Sequence, residues 1–227
     1  MKIALIGPGK LGTAVAMRMP KNAQKIIIGR GERNAQWLGE NMGWPYALEL
    51  SQCHDADAIL LTLDAHVINP VLAQVVTFAK KGALILNMAT KGVVDPAIIE
   101  ANPQLTIVDA KVIGSALGLQ RGMPGIIVAK TGDSAIYDKI CYVLCGFDDV
   151  VQGDADIVPK INSIGSGEGI RAAVIMQKKL EEFQVPKEWE DMILRSVAPG
   201  TMQAFAENRL GHFAQELADK VRKELES

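Results

Sequence analysis

Along the first two-thirds of the chain, short apolar runs closed by glycine, proline or polar clusters alternate with stretches in which apolar residues recur every three to four positions. A continuous apolar run predicts a strand buried on both faces. Spacing of three to four predicts an amphipathic helix. On this basis strands are expected over Lys2–Ile6, Gln24–Ile28, Asp57–Leu63, Ala83–Leu86, Leu105–Val108, Gly125–Val128 and Asp148–Val151. Helices are expected over Lys10–Met19, Arg33–Met42, Val67–Ala79 and Ser134–Leu144, with a short one opened by Asp95-Pro96. There Asp95 offers an N-cap and Pro96 the pre-set φ that suits a first turn. Alternating strands and helices predict an α/β fold, a doubly wound parallel sheet with helices on both sides.

The pattern changes near Gly153. Residues 155–227 hold no strand pattern. Gly165-Ser166-Gly167 interrupts an apolar stretch, Ile170–Phe183 has helical spacing, and Pro186 opens a shorter helix ending near Val197. Pro199-Gly200 is expected to break it, and Thr201–Glu226 is one long amphipathic pattern. The chain therefore divides into a sheet domain, residues 1–152, and a small all-helical domain, residues 153–227. A helical tail of that size is small for a core of its own. It is expected to pack on the first domain or on a second copy, and a homodimer through the C-terminal helices is the expected assembly.

Composition narrows the choice of function. With 227 residues, 48% of them hydrophobic, the chain can bury a core. Its 24 basic and 26 acidic residues leave a net charge of −2, which argues against nucleic acid as a partner. No apolar run approaches the roughly 20 residues of a membrane helix. The run at Met1–Ile6 is too short for the core of a secretory signal. Cys141 and Cys145 stand one helical turn apart, and Cys53-His54 lacks the spacing of a zinc site. No metal is expected, and free thiols fit a reducing, cytoplasmic setting.

The first strand runs into Gly7-Pro8-Gly9-Lys10-Leu11-Gly12, a G-x-G-x-x-G between strand and helix. Gly7 permits a tight turn, Gly9 lets the backbone approach a diphosphate, and Gly12 lets the helix pack on the strand. The amides that open the helix favour negative charge. In this context the motif predicts a Rossmann-type dinucleotide site. Past the second strand come Arg30 and, one turn on, Arg33. A guanidinium there would pair with a 2′-phosphate, which selects NADP; Glu32 is the competing acid that would suit NAD. Thr62-Leu63-Asp64 and Ala89-Thr90-Lys91 close two further strands and should face the nicotinamide end. Lys91 could meet a substrate carboxylate or phosphate. Lys160 and Asn162 form an alternative catalytic pair of the hydroxyacid-dehydrogenase kind.

On these residues the chain resembles pyrroline-5-carboxylate reductase. The likeness is carried by Lys2-Ile3 with the glycine loop, by Gly29-Arg30, by Asp57–Leu61, by Ile161–Gly167, and by Leu194-Arg195-Ser196-Val197-Ala198-Pro199-Gly200-Thr201. The resemblance implies reduction of a small cyclic imine carboxylate by NADPH. It implies Thr201 as hydrogen-bond partner of the ring nitrogen, with Ser196 and Gly200 holding the carboxylate. The chain departs from the family at Asp64-Ala65, where the family has Lys-Pro, and at Met176, where it has a substrate-binding glutamate. Ala89–Gly92, Ile113–Ala116 and Arg121–Pro124 are similar to segments of glycerol-3-phosphate dehydrogenase, and short deazaflavin-NADP reductases share the Gly29-Arg30 ending. A dehydrogenase of another small acid or phosphate, and an NADP sensor without catalysis, therefore stand as alternatives.

Overall fold

The computed structural model describes residues 1–226. Strands β1 (Lys2–Ile6), β2 (Gln24–Ile28), β3 (Tyr46–Ala47), β4 (Ala58–Leu61), β5 (Leu84–Asn87), β6 (Thr106–Ile113), β7 (Ile126–Ala129) and β8 (Asp149–Gln152) form one sheet in the order β3-β2-β1-β4-β5-β6-β7-β8. Helices α1 (Lys10–Ala16), α2 (Glu32–Met42), α3 (Ile68–Phe78), α4 (Pro96–Glu100), α5 (Ala116–Gln120) and α6 (Ser134–Val143) connect them. Side chains along each strand alternate between two cores. Ile3 and Leu5 of β1 join Ala35, Leu38, Ile140 and Val143 on one face. Ala4 and Ile6 join Ile68, Leu72 and Val75 on the other. That two-sided burial is why these strands read as unbroken apolar runs.

The strand order reverses between β1 and its two neighbours, β2 and β4. In an open parallel sheet, that reversal leaves a crevice at the carboxyl ends of the strands. One pairing departs from the all-parallel expectation: β7 runs antiparallel to β6, with Ala110 opposite Ala129. The cause is the short helix α5 between them, which lies on α1 and does not cross the sheet. Gln120 Nε2 donates to the Lys10 carbonyl at 2.6 Å, and an Arg18 guanidinium nitrogen donates to the Leu119 carbonyl at 2.7 Å. Asp95 caps α4 as expected, and Asp133 caps α6 in the same way.

The chain forms two compact units that divide at Ser163, beyond the change of pattern near Gly153. The reason is local. Ala155 and Val158 bury against Val128, and Asn162 Nδ2 donates to the Val112 carbonyl at 2.8 Å. The start of the next helix, α7 (Val158–Glu181), therefore belongs with the sheet.

The second unit is helical, as expected, but its breaks fall elsewhere. Helix α7 runs straight through Gly165-Ser166-Gly167. Glycine costs a helix about 1 kcal/mol per residue and does not forbid it. Helix α8 (Lys187–Met192) passes through a π turn at Ile193–Val197 into α9 (Ala198–Ala206). Pro199 lies in the first turn of α9, directly after the π turn, and Pro199-Gly200 does not break the helix. The break comes instead at Asn208, with φ +55°, before α10 (His212–Glu226).

Candidate functional site

The loop between β1 and α1 uses its three glycines in three ways. Gly7 has φ +104°, and a Cβ there would lie 2.7 Å from the Thr62 carbonyl oxygen. A Cβ on Gly12 would lie 2.1 Å from the Gly7 carbonyl oxygen, so glycine alone lets α1 close onto the loop. At Gly9 an added Cβ meets nothing within 4 Å. That is the open side of the loop, where a diphosphate can reach the backbone. Gly9 also caps α1, and no side chain hydrogen-bonds the helix start. The Gly7 amide donates to the Ile28 carbonyl at 2.9 Å, and the buried Thr62 hydroxyl donates to the Gly7 and Ile6 carbonyls at 2.8 and 3.1 Å. The loop is thus held from β2 on one side and β4 on the other.

A cleft of about 490 Å³ opens over this loop. Gly9, Lys10 and Leu11 line it from the loop, Thr62, Leu63, Asp64 and Ala65 from the end of β4, Thr90 and Lys91 from beyond β5, and Ala116 from α5. Six of the residues assigned to the cofactor from sequence (Gly9, Lys10, Leu11, Thr62, Leu63, Asp64) therefore meet in one cleft, together with Lys91. Gly7, Pro8 and Gly12 shape the loop from behind. Pro8 packs on Gly29, where a Cβ would come within 2.7 Å of its Cγ. Ala89 is buried and does not line the cleft, where Thr90 and Lys91 of the same turn do.

Arg30 follows β2 and Arg33 lies in the first turn of α2. Both are exposed, and among the described residues neither pairs with a carboxylate. Two cations standing free beside the dinucleotide loop suit a phosphate on the adenosine ribose. Glu32 begins α2, where a negative charge also favours the helix start.

In the helical unit, Ser196 lies in the π turn and Gly200 and Thr201 lie inside α9. Thr201 is not an N-cap, the role its Pro-Gly-Thr setting suggests. Its hydroxyl donates back to the Val197 carbonyl at 2.9 Å, and the oxygen's lone pairs remain free to accept. Asn162, of the alternative catalytic pair, bonds both the Val112 carbonyl and the Gly114 amide, which makes it a brace at the end of β6.

Sequence reasoning missed Ala116, although Ser115 three residues before Gly118 is a legible cap. Strand β6 also runs past the expected end at Val108 to Ile113, and so takes in the buried Lys111. Among the described residues no helix is long and apolar enough to cross a membrane, and no group of three His, Cys, Asp or Glu side chains could hold a metal.

Residues 2–91 match the family described as NADP oxidoreductase coenzyme F420-dependent. No curated protein matches the chain. Among solved structures, a pyrroline-5-carboxylate reductase from Coxiella burnetii superposes with a TM-score of 0.73, covering 96% of this chain and 84% of that one at 17% identity. The fold is that of the pyrroline-5-carboxylate reductases. The Plasmodium falciparum pyrroline carboxylate reductase, solved with NADP bound, gives a TM-score of 0.71 over 97% of this chain and 84% of that one at 13% identity. A 3-hydroxyisobutyrate dehydrogenase from Salmonella typhimurium gives 0.69 over 92% and 79% at 18% identity. The family match falls on the segment that carries the glycine loop, Arg30, Thr62 and Lys91, and the reductase fold agrees with the resemblance read from the sequence.

Proposed function

We propose that this chain is an NADP-dependent oxidoreductase that reduces a small cyclic imine carboxylate, as in proline biosynthesis. The observation that carries the reading is the open, side-chain-free approach at Gly9 within a rigid loop, flanked by the free Arg30 guanidinium. NADPH bound there would supply the hydride. The chain's own residues do the rest. Backbone amides of the loop hold the diphosphate, Arg30 and Arg33 hold the 2′-phosphate, and Thr62 keeps the loop in register. Lys91 attracts the anionic group of the substrate. Assignment of Ser196, Gly200 and Thr201 as the set that orients the imine rests on the resemblance. A protonated imine N–H needs an acceptor, and a hydroxyl oxygen is one.

Calorimetric titration with NADPH, followed by turnover with pyrroline-5-carboxylate, tests the reading. Binding with turnover is expected. Binding without turnover on any imine would leave a nucleotide sensor, and no binding of either pyridine nucleotide would end the enzymatic reading. A deazaflavin as hydride partner is the second reading, favoured by the description of the family that residues 2–91 match, and the same assay with that cofactor separates the two.

The helical unit supports a proposal about assembly. Among its described residues none is buried, and Phe183, Phe213 and Leu225 are 73%, 74% and 83% exposed. Large apolar side chains left exposed in such number on a folded chain suit an interaction surface. We assign it to a second copy of this chain.

A further inference from the structure

Lys111 lies in the middle of β6 and is only 1% exposed. Among the described residues no carboxylate pairs with it. Asp109 on the same strand accepts from Asn87 Nδ2 at 2.6 Å, and Asp156 is engaged by Lys130. The Asp156 carboxylate acts on it only from beyond ion-pair distance, so the buried ammonium is costly, and a methionine of similar length would fill the same space without that cost. What the ammonium holds explains it. Lys111 Nζ donates to the Gly92 carbonyl at 2.6 Å, and Asn87 Nδ2 donates to the same oxygen at 3.0 Å. Asn87 Oδ1 in turn accepts from the Ala89 amide at 3.1 Å. The turn from Ala89 to Gly92 is therefore fastened from beneath at both ends. It is also closed from the side, since a Cβ on Gly92 would lie 2.7 Å from Ala89 Cβ and 2.9 Å from Ile68 Cγ1. The two outward residues of that turn are Thr90 and Lys91, which line the cleft.

We propose that Lys111, together with Asn87, is a positioning residue for the nicotinamide half of the dinucleotide site, acting through the Gly92 carbonyl on the Thr90–Lys91 turn. This rests on the dinucleotide reading of the cleft. The adenosine half of a dinucleotide lies toward the end of β2, where Arg30 stands, so the turn beyond β5 faces the other half. Lys111 touches neither half. Its charge secures a backbone oxygen, and the turn presents the two side chains that the ligand meets.

The test compares two ligands on the full chain. Lys111→Met should weaken NADPH by about tenfold and leave 2′,5′-ADP, which has only the adenosine half, within about twofold, as measured by calorimetry. Its Tm should be equal to or above that of the unaltered chain. A role in stability alone would lower Tm or weaken both ligands alike, and either result overturns the assignment, as does unchanged NADPH binding. Should Lys111→Met fail to fold, Asn87→Ala decides, because it removes the other donor to the same carbonyl and the acceptor of the Ala89 amide: the same selective loss supports the assignment, and NADPH binding equal to the unaltered chain overturns it. Failure of the unaltered chain to bind NADPH is a separate outcome, which overturns the dinucleotide reading and this assignment with it.

Discussion

Gly7, Gly9 and Gly12 show how much a single residue type can say when its spacing is right. The positive φ of Gly7, the close contact of Gly12 and the open side of Gly9 are three separate reasons for lacking a Cβ, and all three were legible from position alone. The place of Arg30, two residues past the second strand, is likewise given by position, and its role stands as a proposal. Arg30→Ala is expected to weaken NADPH by roughly 10- to 100-fold, in line with about 1.5–3 kcal/mol for a charge-assisted hydrogen bond. NADH affinity should barely change. Calorimetry with both nucleotides checks this, and equal losses would show that Arg30 does not read the 2′-phosphate. Lys111 was illegible by contrast. It lies beyond the expected Leu105–Val108 strand, and it is the longer β6 of the folded chain that sets it, buried, against the Gly92 carbonyl.

Elements were predicted well where burial is two-sided and poorly where backbone chemistry alone decides. Strands β1 and β2 were bounded correctly because apolar runs end where the sheet ends. The antiparallel β7 was not foreseen, since its direction depends on where α5 packs and not on its own residues. At the amino end of the sheet, Asp57 ties two strands together. Its Oδ2 accepts from the Lys2 amide at 2.6 Å and its Oδ1 from Lys80 Nζ at 2.5 Å. The Lys80 ammonium, and then the Lys2 N–H, hold this carboxyl below its usual range. A depressed folded value means that the contribution is complete above the unfolded pKa of about 3.9 and is lost as pH falls through the folded one. The pair is partly exposed, so water screens it. Asp57→Asn should cost about 0.5–1 kcal/mol at neutral pH in urea unfolding. The two unfolding curves should converge in acid below that window, and a gap that stayed constant with pH would show the charge to be irrelevant.

At the scale of the molecule, the sheet unit closes on itself and the helical unit does not. Residues Phe213, Leu217, Val221 and Leu225 recur every fourth position on α10, and all remain exposed. A dimer is therefore expected in light scattering, and Leu217→Asp with Val221→Asp should shift it toward monomer while leaving NADPH binding to the sheet unit in place. A mass that stays monomeric at every concentration would sink the proposal. The sequence by itself determined the alternation of strands and helices, the glycine loop and the cationic residue beside it, because each depends on neighbours close along the chain or on a spacing that the fold repeats. Only the tertiary structure decided the direction of β7, the division at Ser163, the uninterrupted course of α7 and the burial of Lys111. Each of these depends on which distant segment arrives alongside, and a local pattern carries no record of that.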